Sequence, residues 1–348
     1  MRKFFLTMSL LAICLGCSRG QVSNNEVPTF SLCWNEYPSW STFGVADAKG
    51  IIDGDAGQLG PIEKKWNVDI VLKQADYDTC ITLYGNNAVD AACLTSLDSL
   101  APGQSRDSVI IGPTSTSVGA DACIVVGGID SIENLKKVGT YGLDKSVSRY
   151  VFNRVLEKNN FDPKDFVFKN MDPGTAAQAM QTNQDGIVSI MVWNPFVLQT
   201  LRTRDDSKVL FSSDVIPEEV VDCIVMGKDS LNKPGGEAFA CAVLDAFYEV
   251  NKLIANPETH DETLVAIGEK FSSLGLEDME IVVEQTRFYD TPEKALTLFN
   301  DPKFRNETTP LVVDFCVSQE IVDGKPSVGF NDDGASLNFT TKYLEKVK

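Results

Sequence analysis

The sequence predicts an α/β protein of two lobes, each a mainly parallel sheet flanked by helices, with a helical C-terminal extension on the first lobe. Three observations predict it. Between residues 28 and 228, short apolar strands alternate with amphipathic helical stretches, the rhythm of βα units in a helix-covered parallel sheet. At about 330 residues without the leader, the chain exceeds what one compact core accommodates. From Gly235 onward the pattern changes to long helices, beginning with EAFACAVLDAFYEVNKLIA.

The elements follow in order. FSLCW reads as the first strand. It is followed by a helix that Ser39 or Ser41 can cap, with Phe43, Ala46 and Ile51 turned inward and Gly50 near its end. VDIVLKQA is the second strand, and Asp78 can cap the helical segment TCITLYG. VDAACL and DSVIIGP are the third and fourth strands. After GADACIVVG the rhythm restarts with the turn SIENLKK, the strand VGTYGL, and a helix capped by Ser146 that carries Val147, Tyr150, Val151 and Val155 on one face. FVFKNM, a helix from Thr175, and IVSIMVW ending at Asn194-Pro195 complete most of this unit, which LFSSDVIP and VVDCIVMGKD close. ETLVAIGEKF, LEDMEIVVEQ and a tail helix near 341–346 follow.

Arg2 and Lys3, the apolar run from Phe4 to Leu15, and Gly16-Cys17 read as an export signal over residues 1–16, too short to remain as a membrane span. Gly16-Cys17 followed by SRGQVSNNE resembles a bacterial lipoprotein cleavage site, which implies lipidation at Cys17; plain secretion is the alternative. A lipid there would be the chain's one membrane attachment, at the periplasm or cell envelope. Loss of the leader removes two of 31 basic side chains and none of 49 acidic ones, moving the net charge from −18 to near −20. Such a chain lacks the basic footprint that nucleic acid requires. Seven cysteines remain in the body (Cys33, Cys80, Cys93, Cys123, Cys223, Cys241 and Cys316), mostly within apolar runs, and read as small buried hydrophobes. No CxxC pair suggests zinc, and no cofactor is expected.

In open α/β sheets, ligands meet the carboxyl ends of strands and the amino ends of helices. Trp34, Tyr37, Thr95, Ser96, Ser146, Ser148, Trp193 and Asn194 all fall there. The stretch GADACIVVGGIDSIENLKKVGTYGLDKSVSRYVFNRVLEKNNFDPKDFVFKNMDPGTAAQAMQ, with IVSIMVWNPF after it, resembles the solute-binding component of ATP-binding-cassette importers in the nitrate, sulfonate and taurine group. The similarity lies in motif order over roughly residues 30–230, and it implies a two-lobed type II fold that closes on its ligand. Two positions depart from the group's pattern: Val188-Ser189-Ile190 replaces a VDA-like run, and Leu94 stands where glycine is common. The implied lobes are 28–124 with 226–348, and 125–225, with DACIVVG and DCIVMG as the crossing strands.

On that resemblance, WNEYPSW supplies the apolar wall of an interlobe cleft through Trp34, Tyr37 and Trp40, although Trp40 and Phe43 also suit packing of the first helix. Thr95 and Ser96 present hydroxyls to a ligand or cap their own turn. Ser146 and Ser148, at a helix amino end, suit an acidic group or simple capping. Trp193 and Asn194 face the cleft or pack between lobes. Asp121 pairs with an amine, helped by the rings, or serves as a hinge or turn cap. Arg149 is the one competing anion clamp. The balance favours an amine-bearing or zwitterionic ligand, sulfonate- or taurine-like or related, and a monomeric receptor that hands it to a permease; a sensor signalling to a membrane partner is the alternative. Enzymatic readings lack material: His260 is the single histidine, in NPETHDET, and there is no phosphate-binding glycine loop or HExxH.

Overall fold

A computed structural model describes residues 27–348; the expected signal segment at 1–16 and the lipidation position Cys17 lie outside the described residues. Two sheets organise them. The first contains β1 (Thr29–Trp34), β2 (Asp69–Gln74), β3 (Ala91–Thr95), β4 (Ser108–Ser117), β10 (Val221–Gly227), β11 (Thr286–Phe288), β12 (Val328–Phe330) and β13 (Leu337–Phe339), in the order β12-β13-β4-β10-β3-β1-β2 with β11 on β4. The second contains β5 (Asp121–Val125), β6 (Gly139–Gly142), β7 (Val167–Asn170), β8 (Ser189–Trp193) and β9 (Lys208–Ser212), in the order β7-β6-β8-β5-β9.

Most neighbours run parallel, as the βα rhythm predicts. β10 in the first sheet and β5 in the second run against both of their neighbours, and the short β11 runs against β4. The two longer reversed strands share an origin. Each is the first strand after the chain crosses between sheets, so its first residue lies at the edge where the parallel strands end. Asp121 pairs with Trp193, and Asp222 with Thr95 and Ser115.

The crossings sit a few residues away from the expected ones. DACIV pairs wholly within the second sheet and VDCIVMG wholly within the first. The chain changes sheet between Ser117 and Asp121 and returns between Ser212 and Val221. Ser117 and Ser213 tie the two crossings together through their hydroxyls at 2.6 Å, and the Ser213 hydroxyl also accepts from the Gly119 amide at 2.9 Å. Gly119, at φ +105°, holds a conformation that side chains other than glycine rarely adopt.

Two helix caps differ from the sequence reading. The first helix, Ser41–Ala48, has Trp40 at its N-cap and no side-chain cap; the Ser39 hydroxyl is engaged with Thr114 and Ser115 instead. Asp76, not Asp78, caps the helix Tyr77–Gly85, because its carboxylate reaches the Thr79 amide at 2.8 Å. Ser146 caps Val147–Lys158 as expected.

The C-terminal helices build on the first lobe, where Gly236–Ala255 packs Phe239 on Phe30 and Phe247 on Phe43. They also reach across. Asp278 pairs with Arg202 at 2.6 Å, Gln285 accepts from Asn194 at 2.8 Å, and the Ser272 carbonyl accepts from Gln199. Among the described residues, no helix is long and apolar enough to cross a membrane.

Candidate functional site

The strand ends of the two sheets face each other across a nearly closed hollow of about 10 Å³, room for about one water. Its apolar lining is a chain of rings. Tyr37 meets Trp40 at 4.9 Å between centroids, Trp40 stacks on Tyr77 at 5.6 Å, and Tyr77 meets Trp193 edge-on at 5.4 Å. The first three rings come from the first lobe and Trp193 from the second. Contacts of this kind contribute about 0.5–1.5 kcal/mol each beyond burial. Tyr37 is turned inward because the Asn35 side chain takes its amide at 2.9 Å and its carbonyl receives the amides of Trp40 and Ser41. Trp40 is fixed by donation from its indole to Thr114 at 3.1 Å.

The polar lining is acidic. Asp121 and Asp222 enter from the first residues of the reversed strands, and Thr95 from the end of β3. Asp98 stands behind Thr95 and Tyr77, accepting from the Tyr77 hydroxyl at 2.8 Å and from the Thr95 hydroxyl at 2.9 Å. Asp222 accepts from Ser115 at 2.6 Å. Asp98, Asp121 and Asp222 are 4%, 2% and 2% exposed, and among the described residues none forms an ion pair.

Burial disfavours the charged form of each carboxyl. It pushes Asp98 and Asp121 up to about 6, and Asp222 well above the ordinary carboxylate range, where Asp121's charge adds to the effect. Burial likewise raises Tyr37 and Tyr77, with Asp222 and Asp98 respectively reinforcing it, so both phenols stay neutral. The Tyr37 hydroxyl faces Asp222 and Thr286 without closing a hydrogen bond to either. Among the described residues, no lysine or arginine lines the hollow. Three buried acids without a base are costly in the empty protein, and a cation placed among them removes that cost.

Outside the hollow lies a wider mouth of about 230 Å³ that shares Tyr37, Tyr77 and Trp193 with it. Asn35, Glu36, Asp76 and Asp172 supply its polar groups, again without a basic side chain.

Of the expected site residues, Tyr37, Thr95, Asp121 and Trp193 converge on the hollow. The other five do not line it. Trp34 is buried at the end of β1, and the Ser96 amide binds the Val221 carbonyl while its side chain borders a separate hollow beside Phe304. Ser146 caps its helix and donates to the Leu143 carbonyl. Ser148 is buried one position beyond Val147, the residue of that helix start that does reach the hollow. Asn194 braces the crossing, its amide on the Ala120 carbonyl and its side chain on Gln285. Arg149 also points elsewhere, packed over Phe168 and bonded to Asn153 at 3.1 Å.

Sequence reasoning missed Tyr77, Asp98 and Asp222. Asp222 carried a signal, since VDCIVMG repeats the Asp-then-apolar pattern of DACIVVG, so each reversed strand carries an aspartate in its first two residues.

No protein-family model matches the chain, and no curated protein matches it. Solved structures do. The alkanesulfonate-binding protein SsuA from Xanthomonas axonopodis pv. citri, bound to MOPS, superposes with a TM-score of 0.67 at 11% identity, covering 85% of this chain and 95% of that one. The periplasmic nitrate-binding protein NrtA from Synechocystis PCC 6803 gives 0.57 at 15% identity, covering 86% and 87%. A Candida albicans gene product described as having the generic periplasmic binding protein fold gives 0.62 at 13%, covering 84% and 90%. With strand order, reversed strands and interlobe hollow in place, the chain has the two-lobed α/β fold of the periplasmic binding proteins.

Proposed function

We propose that the protein is an extracytoplasmic solute-binding protein that captures a small amine-bearing organic cation between its lobes and delivers it to the permease of an ATP-binding-cassette importer. The observation that carries this reading is the pair of buried acids lining the hollow, Asp121 and Asp222, with Asp98 behind Thr95 and Tyr77, beside four aromatic rings with no basic side chain among the described lining residues. An ammonium there gains charge-assisted hydrogen bonds from the acids and cation–π attraction from the rings. A sulfonate or nitrate would meet buried acids and no cation among the described lining residues.

In this reading the lobes meet at the two crossings, between Ser117 and Asp121 and between Ser212 and Val221, and hinge near Gly119 and Ser213. The ligand stabilises the closed arrangement because only there do Trp193 and Tyr77 contribute to one wall. Delivery to an importer rests on the names of similar structures, one of them a ligand-binding component of an ABC-type import system from Staphylococcus aureus. In the same reading the protein is a monomer anchored through lipid on Cys17, which mass spectrometry of the mature amino terminus tests.

A thermal-shift screen of the purified mature chain against primary amines, quaternary ammonium compounds, sulfonates and pyrimidines tests the ligand class. Stabilisation by cations alone is the expected result. A shift with sulfonates alone, or with nothing in the panel, refutes it.

A further inference from the structure

The mouth of the cleft extends the chemistry of its interior. Glu36 and Asp76 border it from the first lobe and Asp172 from the second. Among the described residues none of these three forms an ion pair. Closing the lobes therefore brings acids of both lobes to one opening with no protein cation between them. Asp76 and Asp172 have a local task, since each caps a helix through the amide three residues on, at 2.8 and 2.9 Å. Capping requires a side-chain oxygen and not a charge, because asparagine caps as well as aspartate. The charge is what capping leaves unexplained.

Tyr37, Tyr77 and Trp193 border both the inner hollow and the mouth, so aromatic rings lie between one acidic group and the other. The Tyr37 hydroxyl, buried and without a hydrogen bond, is aimed into the inner end. Acid, rings, acid is the pattern that a linear molecule with an ammonium at each end and methylenes between them would fill.

We infer that the site takes a linear di- or polyamine, one ammonium between Asp121 and Asp222, the methylenes along Tyr77 and Trp193, and the second ammonium at the mouth between Asp76 and Asp172. This rests on the amine reading above and narrows it. Both charges of such a ligand are neutralised by the protein, and Asp172 gains a partner only when the lobes are shut, so the second ammonium adds to closure as well as to affinity.

The test compares 1,4-diaminobutane with n-butylamine by isothermal titration calorimetry on the purified mature chain, then repeats both on an Asp76→Asn/Asp172→Asn double variant. The wild-type chain is expected to bind the diamine at least tenfold more tightly, and the variant to bring that ratio close to one while both caps persist. A ratio near one in the wild-type chain overturns the two-charge inference and leaves the amine reading standing. Absence of binding by either compound overturns both. A tenfold preference that survives intact in the double variant overturns the placement of the second ammonium.

Discussion

The Tyr77 ring of the first lobe meets the Trp193 ring of the second edge-on at 5.4 Å, while the Tyr77 hydroxyl donates to Asp98 at 2.8 Å. One side chain thus joins the interlobe contact to the buried acid. Trp193→Ala removes the second lobe's ring from the wall and is expected to weaken cation binding at least tenfold by calorimetry, with the far-ultraviolet circular dichroism unchanged. Affinity within twofold of wild type would mean that the second lobe does not contribute to the site.

Asp98 and Asp121 make the unliganded protein pH-sensitive. Their folded values near 6 lie above the ordinary 3.8, so the stability they contribute is fully present below about pH 4 and is lost as pH rises through about 6. At about 1.4 kcal/mol per unit, each costs about 3 kcal/mol once ionised. The ion-paired Asp90, Asp229 and Glu219, held below their ordinary values, act in the opposite sense at lower pH. Urea unfolding of the empty protein is expected to show a smaller free energy at pH 7.5 than at pH 5, and Asp121→Asn to reduce the difference in part, because Asp98 and Asp222 act in the same sense.

Binding should show the mirror image. A cation favours the ionised acids, so its affinity is expected to rise between pH 5 and 7.5 and its capture to release protons. Calorimetry in buffers of different ionisation enthalpy measures that release; a binding heat independent of buffer would place the cation away from these carboxyls.

The hinge depends on one hydroxyl. Ser213→Ala leaves the Gly119 amide and the Ser117 hydroxyl without their shared partner, at a cost of about 1–3 kcal/mol. Lower stability with altered affinity is the expected outcome by thermal melting and titration.

Arg106 provides a control away from the cleft. Its buried guanidinium bonds Asp229, Ser230 and the carbonyls of Tyr84 and Val89, and lies over the Tyr84 ring. Arg106→Leu strands these acceptors and is expected to cost about 3–5 kcal/mol in urea unfolding while leaving ligand affinity unchanged.

The fold was legible because hydrophobic periodicity is local. LEDMEIVVEQ reads as one helix and forms one over Leu276–Gln285. The site was legible where local position decides, as with Thr95 and Trp193 at strand ends and Tyr37 just beyond one. It was illegible where strand direction decides. Nothing in DCIVMG says that β10 runs against its neighbours, and only that reversal carries Asp222 to the ligand edge. Tyr77 opens a helix and Asp98 sits in a turn, so their meeting depends on packing of elements about 20 residues apart. The seven body cysteines are all buried, as their apolar runs predict, but the 3.0 Å approach of Cys33 to Cys80 has no sequence signature.

The helix Leu276–Gln285 belongs by sequence to the first lobe's extension, yet it grips the second through Arg202–Asp278 and Asn194–Gln285. Opening by rotation of the second lobe strains or breaks these bonds, whatever occupies the hollow. Escape of a trapped molecule is then governed by a latch on the outer face as much as by the acids that hold it, so residence time and equilibrium affinity become separately adjustable quantities.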